Sequence, residues 1–262
     1  MRTVVRVISL PSAIERQARF ARTLEAFPQV EWEFFEGGHQ TADGIEYSPE
    51  RALISQGRTL SEGDVGCFIS HYRLWRSLLA GEHEQMLVLE DDVYVDWPAV
   101  LPFLARDLGQ NIHFLRLYVQ RPAISRELGW LCGRRVVQFL HYTYGMQAYL
   151  VTREGARRLV EKSKVIDRAI DDFIDRSWDH GIPNLCVFPF PVIELEVPSS
   201  IGGVDRYADQ QTLTRSERLK RLRYQVSDKV RRLTHAAREL SPLAVVNREA
   251  LQVVTERRVD SY

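Results

Sequence analysis

Two hydrophobic periods alternate along this chain, and each change of period marks an element. Residues 3–10 are rich in β-branched side chains and predict a strand, and 30–35 alternate loosely as a second. Between them Pro11 and Ser12 open a helix, with Ser12-Ala-Ile-Glu15 fitting a capping box. A Gly-rich polar stretch from Gly37 to Gly57 predicts a long loop carrying a small helix. Ser61-Glu-Gly-Asp64 is a second capping-box match, followed by Val65, Phe68, Ile69, Tyr72, Trp75 and Leu79 at helical spacing. An unbroken apolar strand at 85–90 comes next, then a short helix after Pro98 and a strand from Ile112 to Tyr118. Residues 119–134, rich in Arg and Gly, predict a loop; strands are expected at 135–140, 145–151 and 184–188, and helices at 153–162 and 168–179. Strands alternating with helices predict an α/β domain with a mainly parallel central sheet over residues 1–205.

From residue 213 the texture changes. Leu219, Leu222, Val226, Val230, Leu233, Ala237 and Leu240 are spaced by three and four with basic residues between them, the pattern of a basic amphipathic helix. Such a helix either packs on the domain or lies on an anionic membrane surface, and the pattern over 213–240 is compatible with both. Residues 206–262 are therefore set apart as a helical tail.

Composition is that of an ordinary globular chain, 45% apolar and 27% charged with no net charge. The balance hides an asymmetry: residues 206–262 carry +6 and residues 1–205 carry −6. An acidic body argues against general nucleic-acid binding and leaves a separate task for the tail. Cys67, Cys132 and Cys186 are far apart and odd in number, which fits neither a disulfide framework nor a zinc cluster. The opening Met1–Leu10 lacks the apolar core of a signal peptide, and no run approaches a membrane span. A cytoplasmic protein, peripheral at the inner face of the membrane through its tail, is expected.

The chemistry begins at Leu87-Val-Leu-Glu-Asp-Asp92, where a buried strand runs directly into three acids. Acids beside a low-dielectric core repel one another unless a cation neutralises them, and an oxygen-only set suits Mn²⁺ or Mg²⁺. A second acidic site, Ile170-Asp-Asp-Phe-Ile-Asp175, opens a predicted helix and offers a general base, although plain helix capping explains it on local grammar equally well. A cation-held diphosphate leaving group and a separate carboxylate base are what inverting sugar transfer needs. His71 shares an i, i+4 face with Cys67, which makes it either a ligand or a partly buried, hydrogen-bonded residue. Arg121, Arg126, Arg134 and Arg135 on the 119–134 segment offer contacts to an anionic acceptor, or form a solvated basic loop.

The order of these motifs resembles glycosyltransferase family 25, the lipooligosaccharide galactosyltransferase family. Val7-Ile-Ser-Leu10 with Arg16 is similar to its opening strand, and Gly66-Cys-Phe-Ile-Ser-His71 with Trp75 to its Gly-Cys-x-x-Ser-His…Trp helix. Leu89-Glu-Asp-Asp92 matches its acidic signature, Gly145-Met-Gln-Ala-Tyr149 and Gly155-Ala156 its later segment, and Ile170-Asp171 its downstream acid. The resemblance implies a GT-A-like nucleotide-sugar fold, a UDP-sugar donor, usually UDP-galactose, a divalent cation, and a glycan or glycolipid acceptor. It places Asp91 and Asp92 as cation and diphosphate ligands and Glu90 as their support. Asp171 becomes the base, with Asp172 the alternative. Ser9, Arg16, His71, Ser199 and Ser200 are expected around the nucleotide, Ser9 standing where the family has Asn. A metal-dependent phosphohydrolase or nuclease using the same acids is the competing reading, and a degenerate, non-catalytic domain a third.

Overall fold

The computed structural model describes residues 3–38, 42–108, 112–195 and 213–240. Among the described residues there are twelve strands: β1 (Thr3–Ser9), β2 (Trp32–Glu36), β3 (Glu46–Tyr47), β4 (Gln85–Glu90), β5 (Val93–Val95), β6 (Phe114–Arg116), β7 (Ser125–Leu131), β8 (Arg134–Phe139), β9 (Ala148–Thr152), β10 (Val165–Ile166), β11 (Asn184–Phe188) and β12 (Val192–Glu194). Eight helices accompany them: α1 (Ile14–Leu24), α2 (Pro49–Gln56), α3 (Glu62–Ala80), α4 (Trp97–Ala105), α5 (Arg153–Lys162), α6 (Ile170–Ile174), α7 (Ser177–His180) and α8 (Arg215–Leu240).

Eight strands form one sheet in the order β2-β1-β4-β9-β6-β11-β8-β7. The sheet is mixed. Strands β2, β1 and β4 run parallel, as do β6 and β11, while β9, β8 and β7 pair antiparallel with their neighbours. Side-chain alternation explains the continuous apolar runs, because both faces are covered. Val5, Val7, Leu87, Leu89 and Leu150 pack with Phe20 of α1 and Phe103 of α4. Val4, Met86, Val88, Tyr149 and Val151 pack with Phe68 and Trp75 of α3 and Leu159 of α5. A three-layer α/β/α sandwich results. Glu90 has the parity of Met86 and Val88, so the strand itself aims it at α3.

Three local expectations are corrected. Ser12 does not cap α1: the N-cap is Ala13, without a side-chain bond. By contrast Ser61 and Asp64 close a full capping box on α3. The 119–134 segment contains β7, which pairs with β8 through a register shift at Glu127/Gly129. The helix expected over 168–179 is split into α6 and α7, because the Asp175 carboxylate is drawn out of the helical grammar by partners elsewhere. It accepts from the Thr143 and Tyr144 N–H groups (2.8 and 2.7 Å), from Thr143 Oγ1 and Asn184 (both 2.9 Å), and from buried Arg116 (2.9 Å).

Helix α8 lies against the body by its polar face. Arg221 donates to the Ile54 carbonyl, Tyr224 accepts from Arg168, Asp228 pairs with buried Arg176, and Glu239 pairs with Arg126. The opposite stripe, Leu219, Leu222, Val226, Val230, Leu233 and Leu240, is 50–59% exposed. The boundary expected at 205/206 falls outside the described residues.

Candidate active site

The carboxyl ends of β1 and β4 lie side by side, with Ile8 in register with Glu90. Ligands of open α/β sheets bind at such an edge. Here it gathers most of the predicted residues. Ser9 Oγ donates to Asp91 Oδ2 at 2.6 Å, and Arg16 bridges Asp91 Oδ1 at 2.9 Å and Asp92 Oδ2 at 3.3 Å. Arg19 adds a bond to the Asp91 carbonyl. Both Asp91 oxygens are thus taken by the scaffold. Asp92 differs: its Oδ1 is buried and has no hydrogen-bond partner among the described residues.

Glu90 sits among like charges. Burial, then the repulsion of Asp92, Glu194, Asp91 and Asp171, pushes its carboxyl up to about 8. Asp92 is also raised, by burial against the opposing pull of Arg16. Protonation is how a protein relieves such crowding when no cation does so. A buried oxygen without a donor and a carboxyl held protonated are what a hard divalent cation would satisfy, so Asp92 with Glu90 and Glu194 fit that group better than Asp91 does.

Glu194 was not singled out in the sequence. It reaches the acids because β12 pairs antiparallel with β5, setting it opposite Val93, and the Leu195 N–H bonds the Asp92 carbonyl at 2.7 Å. Tyr118 donates to Glu194 at 3.1 Å, and burial with that acid beside it pushes the phenol up to about 12.

His71 is fully buried and held neutral, its pKa pulled down to about 3 by desolvation. Trp75 Nε1 donates to the Tyr149 hydroxyl at 3.0 Å, which leaves that hydroxyl's proton for His71 Nδ1 at 2.9 Å. The imidazole proton therefore sits on Nε2, which faces Glu90 Oε1 at 3.9 Å. The ligand atoms of Cys67, His71 and Glu90 lie within 4.8 Å of one another, but in this tautomer His71 offers Glu90 a donor and no lone pair.

Asp171 and Asp172 are separated by helix geometry. Asp171 accepts the Asp172 N–H at 2.8 Å and adds to the charge that raises Glu90, and burial raises its own carboxyl. Asp172 turns away, accepting from Gln56 at 2.9 Å and pairing with Arg168 at 3.4 Å. Burial lifts it to about 6. Of the 119–134 arginines, Arg126 is spent on Glu239 and Gln138, Arg134 donates to the Pro189 carbonyl and Arg135 stands over Phe188, while Arg121 stands over the Tyr144 ring at 5.5 Å. Ser199 and Ser200 lie outside the described residues.

Fold and site together define an α/β domain with a convergent acidic centre at the edge of its parallel strands. The family model for Glycosyltransferase family 25 (LPS biosynthesis protein) matches residues 3–174, and the chain belongs to that family. It is 25% identical to a glycosyltransferase 25 family member of Aedes aegypti over 231 residues, covering 78% of this chain and 36% of that one. It is 28% identical to a provisionally named glycosyltransferase of Haemophilus influenzae over 201 residues, 70% of each chain. With procollagen galactosyltransferase 1-B of Xenopus laevis it shares 26% identity over 192 residues, 66% of this chain and 30% of that one. The chain thus spans about a third of the insect relative's length. Some relatives, including one from Homo sapiens, are named inactive.

Proposed function

We propose that the chain is an inverting, divalent-cation-dependent glycosyltransferase that moves a hexose from a UDP carrier to a lipopolysaccharide-type glycan or glycolipid. The observation that carries this reading is the Asp92 Oδ1 atom, buried beside Glu90 and Glu194 with no hydrogen-bond partner among the described residues. Galactose is the proposed hexose, from the name of the procollagen galactosyltransferase relative, and the acceptor class follows the family description.

Asp92, with Glu90 and Glu194, would hold Mn²⁺ or Mg²⁺, which supplies charge neutralisation to a departing diphosphate when bound. Asp91 is a positioning residue: through Ser9 and Arg16 it fixes the strand end and so the direction of Asp92. In this role the Ser9 hydroxyl takes up a hydrogen-bonding task at the position where the family carries an amide. Arg16 keeps a positive charge beside the acids and near the nucleotide. His71 lines the α3 side of Glu90, its Nε2 facing the carboxylate at 3.9 Å without a hydrogen bond. Asp171, separate from the cation set and raised by burial, takes the proton of the acceptor hydroxyl. A base with a raised pKa accepts that proton more readily, and it works only above that pKa.

A membrane surface belongs to the same reading. No helix among the described residues is long and apolar enough to cross a membrane. Instead α8 binds the body by its polar side and presents an exposed apolar stripe flanked by Arg218 and Arg223, an arrangement suited to the headgroup layer of an anionic inner leaflet. Replacing Leu222, Val226 and Val230 together by Gln is expected to abolish salt-sensitive binding to phosphatidylglycerol vesicles. Unchanged binding would refute the surface.

The reaction is tested with a panel of UDP-sugars, with and without Mn²⁺. Cation-dependent release of UDP from one hexose donor is expected. Release of phosphate from nucleotides without sugar discrimination would favour the phosphohydrolase reading instead.

A further inference from the structure

The polar side of α8 does more than dock. Between it and the body lies an open cleft of about 460 Å³, and its two walls differ in chemistry. The α8 wall carries Arg221, Lys229 and Arg232, none of which pairs with a carboxylate among the described residues. The other cations of the cleft are already neutralised, Arg168 by Asp167 and Asp172, and Arg176 by Asp179 and Asp228. A surplus of positive charge therefore faces the cleft from one side. The body wall presents Tyr142 and Tyr144, stacked with centroids 5.9 Å apart and planes 13° from parallel, together with the carboxyl of Asp172. Arg232 lies over the Tyr142 ring at 5.5 Å, joining the two walls.

We infer that this cleft is the acceptor subsite and that it takes a sugar carrying a phosphate or carboxylate group. Aromatic rings and a carboxyl acceptor recognise a sugar's C–H face and hydroxyls, and guanidinium and ammonium groups recognise the anion. The inference rests on the transferase reading, and the position of the cleft agrees with it. Asp171 and Asp172 are neighbours on the five-residue α6: Asp171 adds to the charge that raises Glu90, and Asp172 lines the cleft. Tyr144 spans the two: it lines the cleft, and its hydroxyl is raised by burial and by the charges of Asp172, Asp175 and Asp171. A sugar seated against Tyr144 has a hydroxyl within the reach of α6 while its anionic group remains with Arg221 and Arg232. Arg126, Arg134 and Arg135, for which the sequence left acceptor contact and a solvated basic loop both open, are engaged elsewhere.

The test is direct binding, read by ligand-observed saturation-transfer NMR and calorimetry on the full chain. The probes are glucose 6-phosphate, methyl glucoside and inorganic phosphate. Glucose 6-phosphate is expected to bind most tightly, and the Arg221→Gln/Arg232→Gln double variant to weaken it at least tenfold without changing the neutral glucoside. Lys229→Gln, which removes one charge and no hydrogen bond or ion pair among the described residues, is expected to weaken it by a smaller factor. This keeps the test valid if the double variant loosens α8, which its melting curve reports. Equal binding of glucose 6-phosphate by all three proteins overturns the subsite, and binding of inorganic phosphate as tight as the sugar phosphate overturns its sugar specificity. Donor turnover by the wild-type chain is measured separately. A chain that turns over UDP-sugar but fails these binding tests refutes the subsite alone, and one that binds the sugar phosphate without donor turnover refutes the transferase reading.

Discussion

Asp175→Asn removes one negative charge from the most enclosed ion pair among the described residues. Arg116 and Asp175 are 1% and 0% exposed at their side chains and meet at 2.9 Å. In the variant the guanidinium keeps its charge but loses the carboxylate charge opposite it, while the Tyr144 and Gly145 carbonyls remain as acceptors. Asn offers one acceptor oxygen where Asp175 supplied two. The Thr143 and Tyr144 N–H groups, both bonded to Oδ2, therefore meet an NH₂ group or lose their partner. Breaking one side of a buried pair costs about 3–5 kcal/mol, against a total stability of about 5–15 kcal/mol for a folded domain. At about 2–4 °C per kcal/mol for a domain of this size, the melting temperature should fall by roughly 6–20 °C. Circular dichroism against temperature and urea measures it. Glu154→Gln is the control: its partners Arg157 and Arg158 are exposed, so less than about 1 kcal/mol is expected. A drop of under 2 °C for Asp175→Asn would show that the five-donor hub does not hold α6 and Tyr144 in place.

Two further substitutions probe the scaffold. A Cβ on Gly155 would meet the His113 carbonyl oxygen at 2.1 Å, so Gly155→Ala must displace the first turn of α5; a loss of stability of about 1–3 kcal/mol in urea titration is expected, and a neutral result would refute the close contact. Asp172 has a folded pKa raised from 3.8 to about 6. The folded chain therefore binds the extra proton between those values, and the stability associated with it is full below pH 4 and lost as pH rises through 6. The loss is at most about 3 kcal/mol. Asp172→Asn should flatten this fall, and an unchanged slope of melting temperature against pH from 4 to 6 would contradict it.

Local and contiguous features were legible in the sequence; convergent ones were not. Glu-Asp-Asp declared itself because an apolar strand and its acids are consecutive, and Ser61…Asp64 because a capping box is complete within four residues. Asp91 and Asp92 could be ranked only in three dimensions, since Ser9 and Arg16 reach the former from β1 and α1. Glu194 lay in a Pro-punctuated segment with no periodicity, and only the β12–β5 pairing brings it to the acids. Asp175 looked like a helix interior, yet its five donors come from β6, the 143–144 turn and β11. Strand β7 was hidden by its Arg and Gly content, and its pairing with β8 and the Arg126–Glu239 contact give it its place. For the tail, the apolar stripe was evident from spacing, but the sequence left open which face would meet the body. Ion pairs decided for the polar one.

In the proposed reaction the strand-end acids hold a cation for a UDP-sugar while Asp171 handles the acceptor's proton. UDP-galactose turnover with Mn²⁺, measured beside Mn²⁺·UDP binding for wild type, Asp92→Asn and Asp171→Asn, tests it most directly. Asp92→Asn should lose both binding and turnover. Asp171→Asn should keep binding and lose turnover by about 10²–10⁴-fold, the usual worth of a positioned base. Wild-type turnover that persists in EDTA, or an Asp171→Asn protein as fast as wild type, would contradict it.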